Sequence, residues 1–115
     1  MGDGGFGFTM SELTSAVQHN INVIAIVLDN EAWGAEKAYQ QEFFAGRLLG
    51  AEIESPRYDK VAELCGATGY FVDKPGELGG ILAKALATSG TSVIHVKIDP
   101  DSLSTLRKDL FKPAN

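Results

Sequence analysis

Cysteine is nearly absent from this 115-residue chain. Cys65 stands alone, so no internal disulfide and no zinc site built from several cysteines can form. Histidine is almost as scarce. His19 and His95 are far apart, with no serine or cysteine nucleophile beside them, which argues against a catalytic triad. Basic residues are in deficit: 10 Lys plus Arg stand against 15 Asp plus Glu, for a net charge of −5. A nucleic-acid binder would show a basic patch. Long apolar runs are missing too. The longest, Val23 to Leu28, falls far short of the ~20 residues of a membrane span. Met1 is followed at once by Gly2-Asp3-Gly4, which is no signal peptide. These absences lead to the expectation of a cytoplasmic protein without nucleic-acid or membrane partners. The length admits one domain. A 44% apolar and 22% charged composition is that of a soluble globular chain.

Glycine is what the chain has in excess, with 13 residues against an average near ~7%. Four of them fall between Gly2 and Gly7, a stretch that reads as a loop. Thr9-Met10-Ser11-Glu12 then fits a capping box, with the Thr9 hydroxyl serving an orphan N–H and Glu12 reaching back. Met10, Leu13, Ala16 and Val17 recur at helical spacing, which predicts a helix from Met10 to His19. Ile21 to Leu28 is rich in Val and Ile and reads as a strand buried on both faces, ended by Asp29-Asn30. Glu31 to Phe44 reads as helix and Gly46 to Pro56 as irregular. Tyr58 to Cys65 is a short helix with Val61, Ala62 and Leu64 inward and Gly66 as its C′ residue. Gly69 to Val72 is a strand, Asp73 to Gly76 a turn, Glu77 to Ser89 a helix and Ser92 to Ile98 a strand. Asp101 to Asn115 reads as a tail. The alternation predicts an α/β fold, a parallel sheet with helices on both faces.

In such sheets ligands sit beyond the carboxyl ends of the strands. The glycine loop should follow a strand, yet none precedes Gly2, so the fold is expected to be truncated at its first strand. That would leave an unpaired edge beside Val23 to Leu28. Gly2-Asp3-Gly4-Gly5-Phe6-Gly7 matches G-x-G-x-x-G, with Asp29 22 positions after Gly7. This allows a dinucleotide reading, with the acid on the ribose. A plain glycine turn is another. A third reading uses more residues. Asp3 lies between two glycines, and Asn30 comes 27 positions later, right after a buried strand. If both cap neighbouring parallel strands, a carboxylate, an amide oxygen and a free main-chain carbonyl converge. That set suits Mg²⁺, which completes its octahedron with phosphate oxygens and water. Gly4 and Gly5 would let the backbone approach a diphosphate without a Cβ in the way.

At these residues the chain resembles the thiamine diphosphate-dependent enzymes of the acetolactate synthase and pyruvate decarboxylase superfamily. Their motif is Gly-Asp-Gly, a gap of about two dozen residues, then a strand ending in Asn-Asn; here the first Asn is replaced by Asp29. The resemblance implies that the side chains of Asp3 and Asn30 and the carbonyl of Ala32 ligate Mg²⁺. It places thiamine diphosphate against Gly2, Asp3, Gly4, Gly5, Asn30, Ala32 and Trp33. It makes residues 1–100 a partial C-terminal diphosphate-binding domain and 101–115 a tail. Glu54 to Tyr58, Gly66 to Asp73, Asn30 to Lys37, and Leu106 to Asp109 with Lys112-Pro113 are similar to segments of the sulfoacetaldehyde acetyltransferase branch. Those enzymes convert sulfoacetaldehyde and phosphate to acetyl phosphate and sulfite. The acetolactate synthase branch is the alternative, and a non-catalytic fragment or binding module a third. The family's cofactor lies between two domains, so the partner implied is a pyrimidine-binding domain, in the same parent chain or in a second subunit of a homo-oligomer. Its glutamate, which protonates the aminopyrimidine, has no counterpart here, so the chain alone is expected to be inactive.

Other residues keep two readings each. Glu36 matches a position that faces the active site in some relatives, which would make it catalytic, or it forms a solvated helix pair with Lys37. Trp33, Tyr39, Phe43 and Phe44 either wall the cofactor or substrate pocket or pack on a partner domain. His95 is expected to be packed or half exposed in its strand, Cys65 to lie in the core, and Arg47 and Arg57 to be surface charge.

Overall fold

A computed structural model describes residues 1–103 of the chain. Most of the tail expected from Asp101 onward, with the segments at Leu106 and Lys112, lies outside the described residues. The described elements are α1 (Asp3–Gly7), α2 (Glu12–Gln18), β1 (Val23–Asp29), α3 (Gly34–Phe43), α4 (Tyr58–Leu64), β2 (Thr68–Val72), α5 (Leu78–Ala87) and β3 (Thr91–Lys97). The three strands form a parallel sheet in the order β1-β3-β2. Val23 pairs with Thr91, and Asp29 with Lys97.

Helices cover both faces, as the alternation predicts. On one face Phe6, Leu13, Tyr58 and Ala62 from α1, α2 and α4 pack on Val27 and Val93. On the other, Leu78, Ile81, Leu82 and Ala85 of α5 pack on Val72, Ile94 and Val96. Side chains alternate across a strand, so neighbours such as Val93 and Ile94 serve opposite clusters. The doubly buried strand is β3, buried from Thr91 to Val96, because it is central. β1 was expected in that role, but it lies at the edge of the sheet, with Val23 and Leu28 exposed. Its apolar run packs inward at Val27 alone among the fully buried positions.

Three local expectations give way. The glycine stretch is not an open loop: α1 starts at Asp3. The turns that follow keep helical hydrogen bonds, from Thr9 N–H to the Phe6 carbonyl and from Glu12 N–H to the Thr9 carbonyl. The capping box is therefore not formed. Ser11 is the N-cap in a helical conformation without a side-chain cap, and the Thr9 hydroxyl turns back to the Phe6 carbonyl. Leu64 points outward at 88% exposure, because α4 meets the sheet through Tyr58 and Ala62. Gly66 does close α4, with φ +85°.

Main-chain pairing outside the strands sets up the carboxyl end of the sheet. Gly2 pairs in parallel with Leu28, and Leu28 N–H donates to the Met1 carbonyl. Met1 and Gly2 thus lie beside β1 as the end of a strand would, and α1 begins at once at the level where β1 ends. Beyond β1, Trp33 N–H donates to the Ala51 carbonyl and Ile53 N–H to the Glu31 carbonyl. The irregular segment after α3 is tied back against the 29–33 loop by these bonds.

β2 and α4 approach so closely that only glycine fits between them. A Cβ on Gly69 would lie 2.1 Å from the carbonyl oxygen of Asp59. Gly69→Ala should therefore force α4 off the sheet and cost about 1–3 kcal/mol or more. A urea midpoint equal to that of the unsubstituted chain would contradict this contact.

Candidate functional site

The site lies where β1 ends and α1 begins. Asp3 is fully buried. Its Oδ2 accepts from the Ser55 hydroxyl at 2.7 Å, and its main-chain carbonyl accepts from the Tyr58 phenol at 2.8 Å. The phenol itself is seated edge-on against Phe6, with ring centroids 5.0 Å apart. Asn30 follows the last residue of β1 and is 8% exposed. After it the chain turns through Glu31 in the left-handed region, φ +56°. That turn brings the Ala32 carbonyl oxygen back to the Asn30 side chain.

The consequence is that the Asn30 amide lies between two acceptors. Oδ1 of Asn30 is 3.1 Å from the Ala32 carbonyl oxygen and 3.3 Å from Oδ1 of Asp3. Turned by half, the Asn30 amide would present its nitrogen to both oxygens and hydrogen-bond the loop to itself. That orientation satisfies the hydrogen bonding of both acceptors, and only a cation held here would favour the oxygen-inward one. Among the described residues no group of three or more His, Cys, Asp or Glu side chains is placed to hold a metal. The set here draws on an amide and a main-chain carbonyl instead, the donors that hard cations accept.

Asp29 lies beneath this set, 2% exposed. Its Oδ1 accepts from Glu31 N–H at 2.9 Å. Its Oδ2 meets His95 Nε2 at 2.8 Å and Lys97 Nζ at 3.2 Å. Lys97 also reaches Glu31. The two buried carboxyls diverge. Burial raises Asp3, the neighbouring Asp29 raises it further, and the Ser55 hydroxyl opposes both; the result lies above the usual carboxylate value. Burial pushes Asp29 up as well, but Glu31 N–H, His95 and Lys97 outweigh it, so Asp29 falls below that value. Two like charges this close oppose each other's ionisation, and the donors around Asp29 leave Asp3 as the carboxyl that is raised.

The glycines divide by role. A Cβ on Gly4 would lie 2.9 Å from the Trp33 indole, so Gly4 is the bed for that ring. Cβ positions on Gly2 and Gly5 meet nothing within 4 Å, and there the backbone is open to a ligand. Trp33 is half-buried between Gly4 and Phe8, whose ring centroid is 5.4 Å away. Glu36 is exposed in the first turn of α3, without a hydrogen bond to Asp3, Asn30 or Ala32 among the described residues. Lys37 is not part of a solvated pair. It is 5% exposed, and its Nζ donates to the Pro100 carbonyl at 3.2 Å and stands 3.7 Å from Glu52. A polar cavity of about 580 Å³ opens beside Asn30, lined also by Glu31, Lys37, Glu52, Glu54 and Pro100. His95 is fully packed, and Arg57 holds Asp59 through two 2.8 Å bonds while stacking on Phe71. Ser55, Tyr58 and the Asp29–His95 pair escaped the sequence reading, since no spacing links positions so distant in the chain.

A parallel α/β domain that gathers a carboxyl, an amide and a main-chain carbonyl at the carboxyl end of its sheet, beside open glycines, has the form of a phosphate-ligand domain. Residues 1–96 match the model of the thiamine pyrophosphate enzyme C-terminal TPP-binding domain, and the chain belongs to that family. It is 37% identical over 117 residues to a sulfoacetaldehyde acetyltransferase of Castellaniella defragrans, covering 97% of this chain and 20% of that protein. It is 36% identical over 110 residues to an acetolactate synthase large subunit of Mycobacterium tuberculosis, covering 95% and 20%. A benzoylformate decarboxylase from Polynucleobacter necessarius superposes with a TM-score of 0.82 at 29% identity, over 92% of this chain and 20% of that one. The chain thus spans about a fifth of the length of these relatives. Among the described residues no helix is long and apolar enough to cross a membrane.

The raised Asp3 carboxyl gives a signed expectation. The folded chain holds that proton more tightly than the unfolded chain does. Asp3 therefore adds stability as pH falls through its folded pKa and costs stability when ionised at neutral pH. Asp3→Asn should melt higher than the unsubstituted chain at pH 7 without divalent cations, and the gap should close toward pH 4. A lower melting point for Asp3→Asn at pH 7 would contradict the assignment.

Proposed function

We propose that this chain is the diphosphate-holding part of a thiamine diphosphate- and Mg²⁺-dependent acyltransferase resembling sulfoacetaldehyde acetyltransferase. The observation that supports the cation is the meeting of the Asn30 amide with the Ala32 carbonyl oxygen at 3.1 Å and Oδ1 of Asp3 at 3.3 Å, which becomes a set of three oxygens when the amide oxygen faces them. Neighbouring ligands around Mg²⁺, with bonds of 2.0–2.1 Å, stand about 2.9 Å apart, so the set needs to draw in by only a few tenths of an ångström. Asp3 and Asn30 would supply side-chain oxygens and Ala32 its carbonyl. Gly2 and Gly5 would leave room for the diphosphate, and the first turn of α1 would offer backbone N–H groups that lack intrahelical acceptors. Trp33 would wall the cofactor from its bed on Gly4. Glu36 would present its carboxylate at the mouth of the site.

Thiamine diphosphate held here would supply a carbon nucleophile for the carbonyl of a small aldehyde or 2-oxo acid. The chain's own part is to hold the anionic end and to fix its depth in the sheet. A pyrimidine-binding domain, in the parent chain or in a second subunit, would complete the site. Phosphate as the acyl acceptor is supported by the similarity to the sulfoacetaldehyde acetyltransferase and by the stretch Trp33-Gly34-Ala35-Glu36-Lys37. The nearly equal identity to an acetolactate synthase supports carboligation of pyruvate as the second reading.

Calorimetry with thiamine diphosphate, with and without Mg²⁺, tests the cation set. Asp3→Ala should abolish Mg²⁺-dependent binding and Asn30→Ala should weaken it about tenfold or more, the scale of a lost partner at a metal site. Unchanged binding in both variants would sink the assignment. The 115-residue chain alone should form neither acetyl phosphate from sulfoacetaldehyde nor acetolactate from pyruvate. A positioned proton donor is worth roughly 10²–10⁴ in rate, and the proposed donor belongs to the partner domain. Added back, that domain should restore turnover, and the product separates the two readings.

A further inference from the structure

We propose that His95 is a positioning residue for the cation-binding loop, acting through Asp29. The proposal rests on the cation set described above and assigns a role to a strand residue that touches none of its three oxygens.

The donors and acceptors along this path are determined one by one. His95 is 1% exposed in the central strand. Its Nδ1 lies 3.0 Å from the main-chain N–H of Tyr58 and must accept from it. The ring proton is therefore on Nε2, which donates to Oδ2 of Asp29 at 2.8 Å. Asp29 faces three donors: His95 Nε2–H, Lys97 Nζ and Glu31 N–H. Only a carboxylate satisfies all three, since an amide would turn its own N–H₂ toward one of them. The bond to Glu31 N–H closes the left-handed turn at φ +56° that aims Asn30 and Ala32 at Asp3. Tyr58 joins the two halves. Its N–H orients the His95–Asp29–Asn30 arm, and its phenol holds the carbonyl of Asp3 at 2.8 Å. His95 thus converts the fixed position of α4 on the sheet into the fixed direction of a ligand more than one residue away.

Outer partners of this kind typically carry about 10–100-fold in metal affinity. The test is Mg²⁺ titration of the 115-residue chain in the presence of thiamine diphosphate, with melting measured alongside. His95→Phe keeps a ring but removes both nitrogens, and Mg²⁺ affinity should fall about 10–100-fold. His95→Gln keeps an N–H donor at the Nε2 position, and affinity should recover to within a few fold. Ile94→Val, buried beside His95 on the opposite face, should lower the melting point while leaving Mg²⁺ affinity unchanged. Long-range ¹H–¹⁵N spectra of the unsubstituted chain, which need no variant, should show Nε2 protonated and Nδ1 bare. Unchanged affinity in His95→Phe, with binding lost in Asp3→Ala, would overturn the positioning role alone. So would a His95→Gln variant as weak as His95→Phe, an equal loss in Ile94→Val, or a proton found on Nδ1. Absence of Mg²⁺-dependent binding by the unsubstituted chain would overturn the cation reading and this proposal with it.

Discussion

The carboxylate of Asp29 is the constraint around which this corner of the molecule is arranged. A charge buried to this degree persists only if it is fully hydrogen-bonded. Its three donors come from the turn that follows it, from the central strand and from the end of that strand. Meeting that requirement fixes the end of β1 against β3 and curls the chain through Glu31. The same curl gathers the Asn30 and Ala32 oxygens. The site is thus a by-product of satisfying one buried charge, and Asp3 is delivered to it from the other side by Ser55 and Tyr58.

Asp3 and Asp29 are chemically alike and close together, yet they differ in what surrounds them. Asp29 has three donors for its two carboxylate oxygens. Asp3 has the Ser55 hydroxyl and, beyond it, the Asn30 amide. The environment therefore holds the Asp29 carboxyl below its ordinary value and Asp3 above it.

The elements that hold the site differ in how they are made rigid. Close backbone approach does it at Gly69 against Asp59, and a ring laid on a bare backbone does it at Gly4 under Trp33. Main-chain bonds tie residues 51–53 to the 31–33 loop. Lys37, nearly buried, draws the start of α3 to the segment that leaves β3. Each device uses contacts between positions remote in sequence, so the 29–33 loop is supported from three directions although it contains no regular structure.

Local pattern was enough to determine the alternation of helices and strands, the parallel sheet with helices on both faces, and the pairing of a glycine-flanked Asp3 with the strand-terminal Asn30. Those features follow from hydrophobic period, turn residues and spacing, which act over a few residues or one crossover. Tertiary structure alone decided that β3 rather than β1 is the interior strand, because strand order depends on which crossovers pack, not on how apolar a strand is. It also decided that the glycine run winds into α1, once Met1 and Gly2 were paired beside β1 and Trp33 covered Gly4. It turned Leu64 outward and buried Lys37. Above all, it joined Tyr58 to His95 across 37 positions and His95 to Asp29 across 66. A hydrogen bond between buried groups depends on distance in space, and nothing in the local sequence of any one of these residues encodes the other two.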